Sequence, residues 1–376
     1  MTSGTALTGG TALTGGPVWT NSRVRVGVVG CGEVTQILHL PSLRQLSDLF
    51  EVTALCDSSL EVLDGVGNLW GITARFGNYQ DMLYQGNVDA VLIANPHAYH
   101  SEVVLAALAA GKHVLAEKPL CITLSEADAI IAAQQETSLT VQVGTMRRYA
   151  DAFIHACKLV RELPEIRLAR VHDVIGHNHL FIQHSSRVLR PSDVPQEIVR
   201  AGRELERQRI EEAIGTDDPD LRNAYLLMLG LSSHDLSAMR ELLGRPQGVL
   251  YAAQRAGGSY ITAAFDYGNY VCHFETGNNS IADFDAYLSV YGSERIIKVK
   301  YDTPYVRNLP IRLEITEMDS DNASSKRVLH PEWNDPFVAE WRAFYKSMTT
   351  GAPSKTDAVD FRQDLELFGE MIEQMK

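Results

Sequence analysis

Val24-Arg-Val-Gly-Val-Val-Gly30-Cys-Gly32-Glu33-Val34-Thr35 is the stretch from which the rest of the chain is read. A short apolar run of this kind reads as a strand buried on both faces. It ends at two glycines spaced one apart, and an amphipathic run comes at once after them (Ile37, Leu38, Leu40, Leu43, Leu46). Strand, glycine turn and helix form the arrangement that a dinucleotide pyrophosphate needs. Gly30 permits the tight turn, Gly32 lets the backbone approach the phosphates, and the helix N-terminus presents free N–H groups to the anion. Glu33 and Val34 fall on the same turn. The third position of the usual fingerprint is Thr35, not glycine or alanine, so the motif needs support from the next strands.

A second strand-like run, Phe50–Cys56, ends in Asp57. A carboxylate at that tip can accept both hydroxyls of an adenosine ribose and repels a 2′-phosphate. Ser58 and Ser59 come next, with no lysine or arginine to receive such a phosphate, so NAD is expected over NADP. The plainer alternative for Asp57 is an N-cap before the next helix.

Alternation then continues. Helical patterns at 60–70, 79–84, 101–110 and 125–135 separate strand patterns at 72–76, 88–94, 113–116 and 140–144. Such alternation predicts right-handed crossovers and a doubly wound parallel sheet, a Rossmann domain over residues 23–146. Ligands in such sheets lie at the carboxyl ends of strands. Three informative segments sit at strand ends: Asn95-Pro96-His97-Ala-Tyr-His100, Glu117-Lys118-Pro119 and Gly144-Thr-Met-Arg147-Arg148-Tyr149.

On the glycine turn, Asp57, the Asn95–His100 segment and above all Glu117-Lys118-Pro119, the chain resembles the glucose–fructose oxidoreductase, inositol dehydrogenase and rhizopine-catabolism (Gfo/Idh/MocA) family of NAD(P)-dependent oxidoreductases. The resemblance runs from Arg23 to the C-terminus. It implies that Lys118 hydrogen-bonds the reacting carbinol oxygen and relays a proton, with Pro119 aiming it. Glu117 then contacts the nicotinamide ribose or orients Lys118. Asn95 and Pro96 line the cofactor groove. His100 either caps the next helix or touches the cofactor. His39 and His97 are read as structural.

A second, α+β domain is expected over 147–376. Its alternating runs at 166–175, 248–256, 260–267, 270–276, 284–291, 295–301 and 311–318, separated by glycine- and asparagine-rich turns, give a large open, mainly antiparallel sheet. Two helical segments within 336–375 pack back to close the chain. In the family this sheet covers the nicotinamide and makes subunit contacts, implying a homo-oligomer, dimer or tetramer. Residues 177–231 stand out as an atypical helical insertion. They hold a charged helix, Glu197–Glu212, read as a solvated face or a lid. His177, His179 and His184 match no strong zinc spacing and have no thiolate beside them, so no metal is expected.

In Gly230-Leu-Ser-Ser-His234-Asp235, His234 fits a general base, since its ordinary pKa lies near the working pH. The family commonly carries an aspartate four residues before this histidine. That position is Gly230, and Asp235, about 100° around the helix, is expected to face elsewhere. The expected catalytic pair is Lys118 and His234. Arg147, Tyr149, His177, Asn178 and His234 are the candidates to hold substrate hydroxyls.

Net charge is −13, which argues against nucleic acid or anionic membranes as partners. Five cysteines with no CxxC spacing fit a reducing, cytoplasmic compartment. No apolar run approaches membrane-spanning length. Residues 1–22 are expected to be a low-complexity disordered tail without signal-peptide character. The leading expectation is an NAD-dependent dehydrogenase acting on a secondary alcohol of a sugar, cyclitol or glycoside. The alternatives are a redox-neutral NAD-dependent glycoside-cleaving enzyme and a non-catalytic NAD or sugar sensor.

Overall fold

The structure, a computed structural model, describes residues 23–331 and 333–376. The expected disordered tail lies outside the described residues.

β1 (Val24–Val29), β2 (Phe50–Cys56), β3 (Ala74–Phe76), β4 (Ala90–Ile93), β5 (His113–Glu117) and β6 (Val141–Gly144) form one six-stranded sheet. Its order is β3-β2-β1-β4-β5-β6, and every pairing is parallel. The order reverses between β1 and β4, opening a crevice at the strand ends where ligands bind in this topology. Between these strands run α1 (Leu40–Gln45), α2 (Leu60–Trp70), α3 (Tyr79–Gln85), α4 (His100–Ala109) and α5 (Leu124–Thr137). Caps fix their ends. Ser59 accepts from Val62 N at the start of α2, and Gly71 closes it at φ 73°. Thr123 and Glu126 make a reciprocal capping box on α5.

α6 (Asp151–Arg161) leads into β7 (Ile166–Gly176), the central strand of the second sheet. That sheet adds β8 (Gly248–Arg255), β9 (Tyr260–Asp266), β10 (Val271–Asn279), β11 (Phe284–Gly292), β12 (Arg295–Tyr301), β13 (Arg312–Met318) and β14 (Ser324–Leu329). The order is β14-β13-β12-β11-β7-β10-β9-β8, antiparallel except where β10 runs parallel to β7. β14 escapes a periodicity reading because its sequence, SSKRVL, is polar and lies on an exposed edge.

The insertion folds as α7 (His179–Ser185), α8 (Gln196–Ile214) and α9 (Pro219–Leu227), followed by a π-helical turn, Met228–Ser232, and α10 (Ser233–Leu243). α8 is the expected charged helix. It buries only Ile210 and Ile214 and carries Arg207 between Glu204 and Glu211 on its open face. Its inner side meets the segment after β4, where Gly202 faces the Tyr99 ring and Glu206 lies 3.9 Å from His97 Nδ1.

α11 (Pro336–Thr350) and α12 (Ala358–Met375) return to the first domain. Trp341 of α11 joins Phe50, Leu40 and Val24 in one core beside β1. Phe361, Leu365 and Phe368 of α12 belong to a core that runs from Val91 of β4 to Val171 of β7. The two sheets therefore share buried apolar surface.

Candidate active site

The glycine turn meets its backbone demand. Gly30 has φ +94°, and a Cβ there would stand 2.4 Å from the Ala94 carbonyl oxygen. Only glycine tolerates both the left-handed conformation and that approach. A Cβ on Gly32 would meet nothing within 4 Å, which leaves the backbone open for an anion at the following helix. Asp57 at the end of β2 accepts from Cys31 N (2.7 Å) and Ser59 N (2.9 Å). The carboxylate is thus fixed between the glycine turn and the start of α2.

Between the domains lies a cleft of about 160 Å³, lined by Val34, Asn95, His97, His100, Glu117, Lys118, Met146, Arg147, Asn178, Gly230, His234, Phe284 and Tyr305 among others. Lys118 comes from the end of β5 through a cis Lys118–Pro119 peptide. Its Nζ donates to the Gly230 carbonyl, which the π-helical turn presents to the cleft. A main-chain oxygen therefore partners the lysine at the position where the sequence lacks the expected aspartate. Burial, with Arg147 adding repulsion, outweighs Glu117 and holds the ammonium below its usual range.

Glu117 is set from below. The Trp341 indole N–H donates to His39 Nδ1 (3.1 Å), so His39 Nε2 is left to donate to Glu117 Oε1 (2.9 Å). Lys118 N donates to the other carboxylate oxygen at 3.2 Å. Burial opposes the charged form of Glu117, but His39 and Lys118 prevail and keep the carboxyl below its usual range. His39 is structural in the sense expected, yet it supports the Glu-Lys-Pro segment directly.

His234 sits on the first turn of α10, 9% exposed, and its Nδ1 has no partner among the described residues. Burial, then Lys118 and Arg147, hold its pKa well below 6.5. The ring is therefore unprotonated at neutral pH.

Several candidate residues are placed differently from the expectation. Arg147 reaches the cleft wall, but its guanidinium is already held by Asp173 (2.9 Å) and Asp235 (2.5 Å) and lies over the Tyr301 ring. Asp235 does not line the cleft; it pairs with Arg147 and, like His234, is buried. Burial and the neighbouring Asp173 outweigh Arg147 and push Asp235 well above the carboxylate range. Tyr149 does not face the cleft. Its hydroxyl bonds Thr356 Oγ1 at 2.8 Å on the far side of the junction. His177 is exposed, stacked on His179, and outside the cleft, whereas Asn178 lines it. Pro96 opens the short turn His97–Tyr99 and leaves the lining to Asn95 and His97. Glu33 points to Arg190, with which it pairs. His100 is the first residue of α4 and not its cap, which is Tyr99. It lines the cleft, while its two ring nitrogens bridge the carbonyls of Pro119 (2.6 Å) and Asn95 (2.7 Å). Among the described residues no group of three or more His, Cys, Asp or Glu could hold a metal ion.

A dinucleotide fits this site. The open face of Gly32, the fixed Asp57 carboxylate and the buried, unpartnered Asn95 Oδ1 supply contacts of the kinds such a cofactor takes. The site thus joins a Rossmann crevice to residues of the second sheet, with a lysine at the end of β5.

Residues 24–145 match the model of the Gfo/Idh/MocA oxidoreductase family, NAD-binding Rossmann fold. The inositol 2-dehydrogenase of Salmonella typhimurium is 30% identical over 139 residues, 36% of this chain and 41% of that protein. The match thus spans about two fifths of that relative's length. The myo-inositol 2-dehydrogenase of Thermotoga maritima is 24% identical over 356 residues, 91% of this chain and 93% of the relative. Among solved structures, a 3-ketoreductase from Actinomadura kijaniata in complex with NADP and TDP-benzene superposes with a TM-score of 0.71 at 20% identity, covering 94% of this chain and 98% of that one. Apo scyllo-inositol dehydrogenase from Lactobacillus casei gives 0.68 at 18% identity over 95% and 97%. These likenesses extend the shared fold to the second domain.

Proposed function

We propose that the protein is an NAD-dependent oxidoreductase that moves a hydride between nicotinamide and a secondary alcohol of a sugar or cyclitol. The observation that carries this reading is the meeting of Lys118 from one domain and His234 from the other in one cleft. When bound, the nicotinamide supplies the hydride acceptor at C4. The protein does the rest. Lys118 Nζ donates to the carbinol oxygen and lowers the cost of charge developing there. The His234 ring, kept unprotonated, takes the hydroxyl proton. Asn178 and Asn95 add polar contacts, and the apolar wall of Met146, Phe284 and Tyr305 excludes water. Inositol dehydrogenases and a ketoreductase among the relatives support a polyhydroxylated substrate. Asp57, with no cation at Ser58 or Ser59, supports NAD. The polar outer face of the second sheet, where His172 stacks on Tyr287 and Lys298 lies over the same ring, is the surface we assign to self-association.

The test is NADH formation from NAD with purified protein across a panel of cyclitols, aldoses and glycosides, with Lys118→Ala alongside. Turnover on any member, reduced at least ~100-fold in the variant, supports the assignment. Undiminished turnover in Lys118→Ala would refute it. A glycoside cleaved without net NADH would point to the redox-neutral alternative. Tight NAD binding with no turnover would point to a sensor, the reading that Gly230 favours.

A further inference from the structure

The insertion returns to the first domain before it reaches α8. The Gln36 side-chain amide bonds both the N–H and the carbonyl of Leu189, each at 2.9 Å. Arg190 pairs with Glu33 on the glycine turn. Three residues on, Asp193 meets the start of α2, where its carboxylate accepts from the Ser59 hydroxyl and from Glu61 N (3.0 Å). Residues 189–193 therefore bridge the two walls of the crevice at the tip of β2, beside Asp57.

That tip is where the adenosine ribose is read in a Rossmann domain. A 2′-phosphate there needs donors, and the first turn of the following helix is their natural source. In this chain four of those donors are already taken. Ser59 N goes to Asp57, Val62 N to the Ser59 hydroxyl, and the Ser59 O–H and Glu61 N to Asp193. Glu61 adds a third carboxylate, held by Ser192 Oγ at 2.5 Å. The one cation on the strap at this end, Arg190, is engaged by Glu33.

Building on the reading that the crevice holds a dinucleotide, we propose that Asp193 is a specificity-determining residue. It occupies, as a built-in anion, the donors that a 2′-phosphate would use, and so bars NADP. Asp57 alone repels a 2′-phosphate by charge. Asp193 acts from outside the Rossmann domain and removes the hydrogen bonds that could offset that repulsion.

The experiment measures Kd for NAD⁺ and NADP⁺ by titration calorimetry on the full chain. The proteins are wild type, Asp193→Asn, Asp193→Ser and Ser59→Ala. Loss of the anion frees the α2 donors, so the ratio of the NADP⁺ Kd to the NAD⁺ Kd should fall about tenfold or more in Asp193→Ser. Asp193→Asn keeps an acceptor while losing the charge and should fall in between. Ser59→Ala removes a donor without freeing the site and should leave the ratio near wild type. An unchanged ratio in Asp193→Ser, including the case where both affinities drop together, would overturn the proposal and leave Asp193 a fastener for the strap. Wild-type protein that binds neither dinucleotide would overturn the underlying cofactor reading instead, and the two failures are told apart by the wild-type titration alone.

Discussion

Gly230 is the residue whose absence of a side chain matters most. Its carbonyl takes the ammonium of Lys118, and a Cβ built on it meets nothing within 4 Å. The room for a carboxylate is therefore present although the carboxylate is not. Burial holds Lys118 below its usual pKa, and a carbonyl dipole offsets that burial less than a full negative charge would. Gly230→Asp should raise the apparent pKa of Lys118 by about one unit or more. In the pH profile of kcat/KM, the alkaline limb should move upward by that amount. An alkaline limb that stays in place would show that Lys118 does not set it. That Lys118 and His234 would come to line one cleft was legible in the sequence because each sits in a short local motif. Their immediate partners were not. Arg147 meets Asp235 across 88 positions, and Asp173 lies within a strand whose alternation says only that it faces inward.

At the scale of elements, α11 ties the end of the chain to the heart of the first domain. Trp341 packs edge-on against Phe50 (5.1 Å) and Phe344 (5.6 Å), and its N–H sets the orientation of His39 under Glu117. Trp341→Phe keeps an aromatic ring at the site but removes the donor and part of the packed volume. The expected cost is about 1 kcal/mol in a urea unfolding midpoint and a ~10-fold or greater fall in kcat as Glu117 loses its fixed partner. Equal kcat in the two proteins would show that His39 needs no fixing. The parallel sheet was readable because its strands are short apolar runs punctuated by glycine and aspartate, and α2 occupies the span its pattern indicated. What could not be read was geometry set by distant packing. The π-helical turn at Met228–Ser232 has no local signature, and a link between Trp341 and His39, 302 positions apart, leaves no spacing to find.

At the scale of the molecule, a chain with net charge −13 buries a carboxylic acid where its domains join. Glu340 is fully buried, both of its carboxyl oxygens lack a partner among the described residues, and burial with Glu117 nearby pushes it well above the usual range. The native state therefore keeps the proton that the unfolded chain releases near pH ~4.3. Below that pH Glu340 costs no ionisation energy, and stability is lost as the pH rises toward the folded-state pKa. Glu340→Gln should be more stable than wild type by about 1–2 kcal/mol at pH 8, with the gap closing near pH 4. Urea denaturation at the two pH values measures it, and a gap that is flat or larger in acid would refute it.

The strap at 189–193 and the tryptophan of α11 bear on the order in which a growing polypeptide completes itself. Chains leave the ribosome N-terminus first and fold domain by domain. The last strand of the parallel sheet is made by Gly144, while the α11 side chains that complete the core beside β1 are still to come. The strap that frames the adenosine end of the crevice arrives next, with Leu189. Trp341 comes last. A nascent chain thus carries the strands of the first sheet, and then the strap at the β2 tip, well before Glu117 receives the support that sets its place beside Lys118.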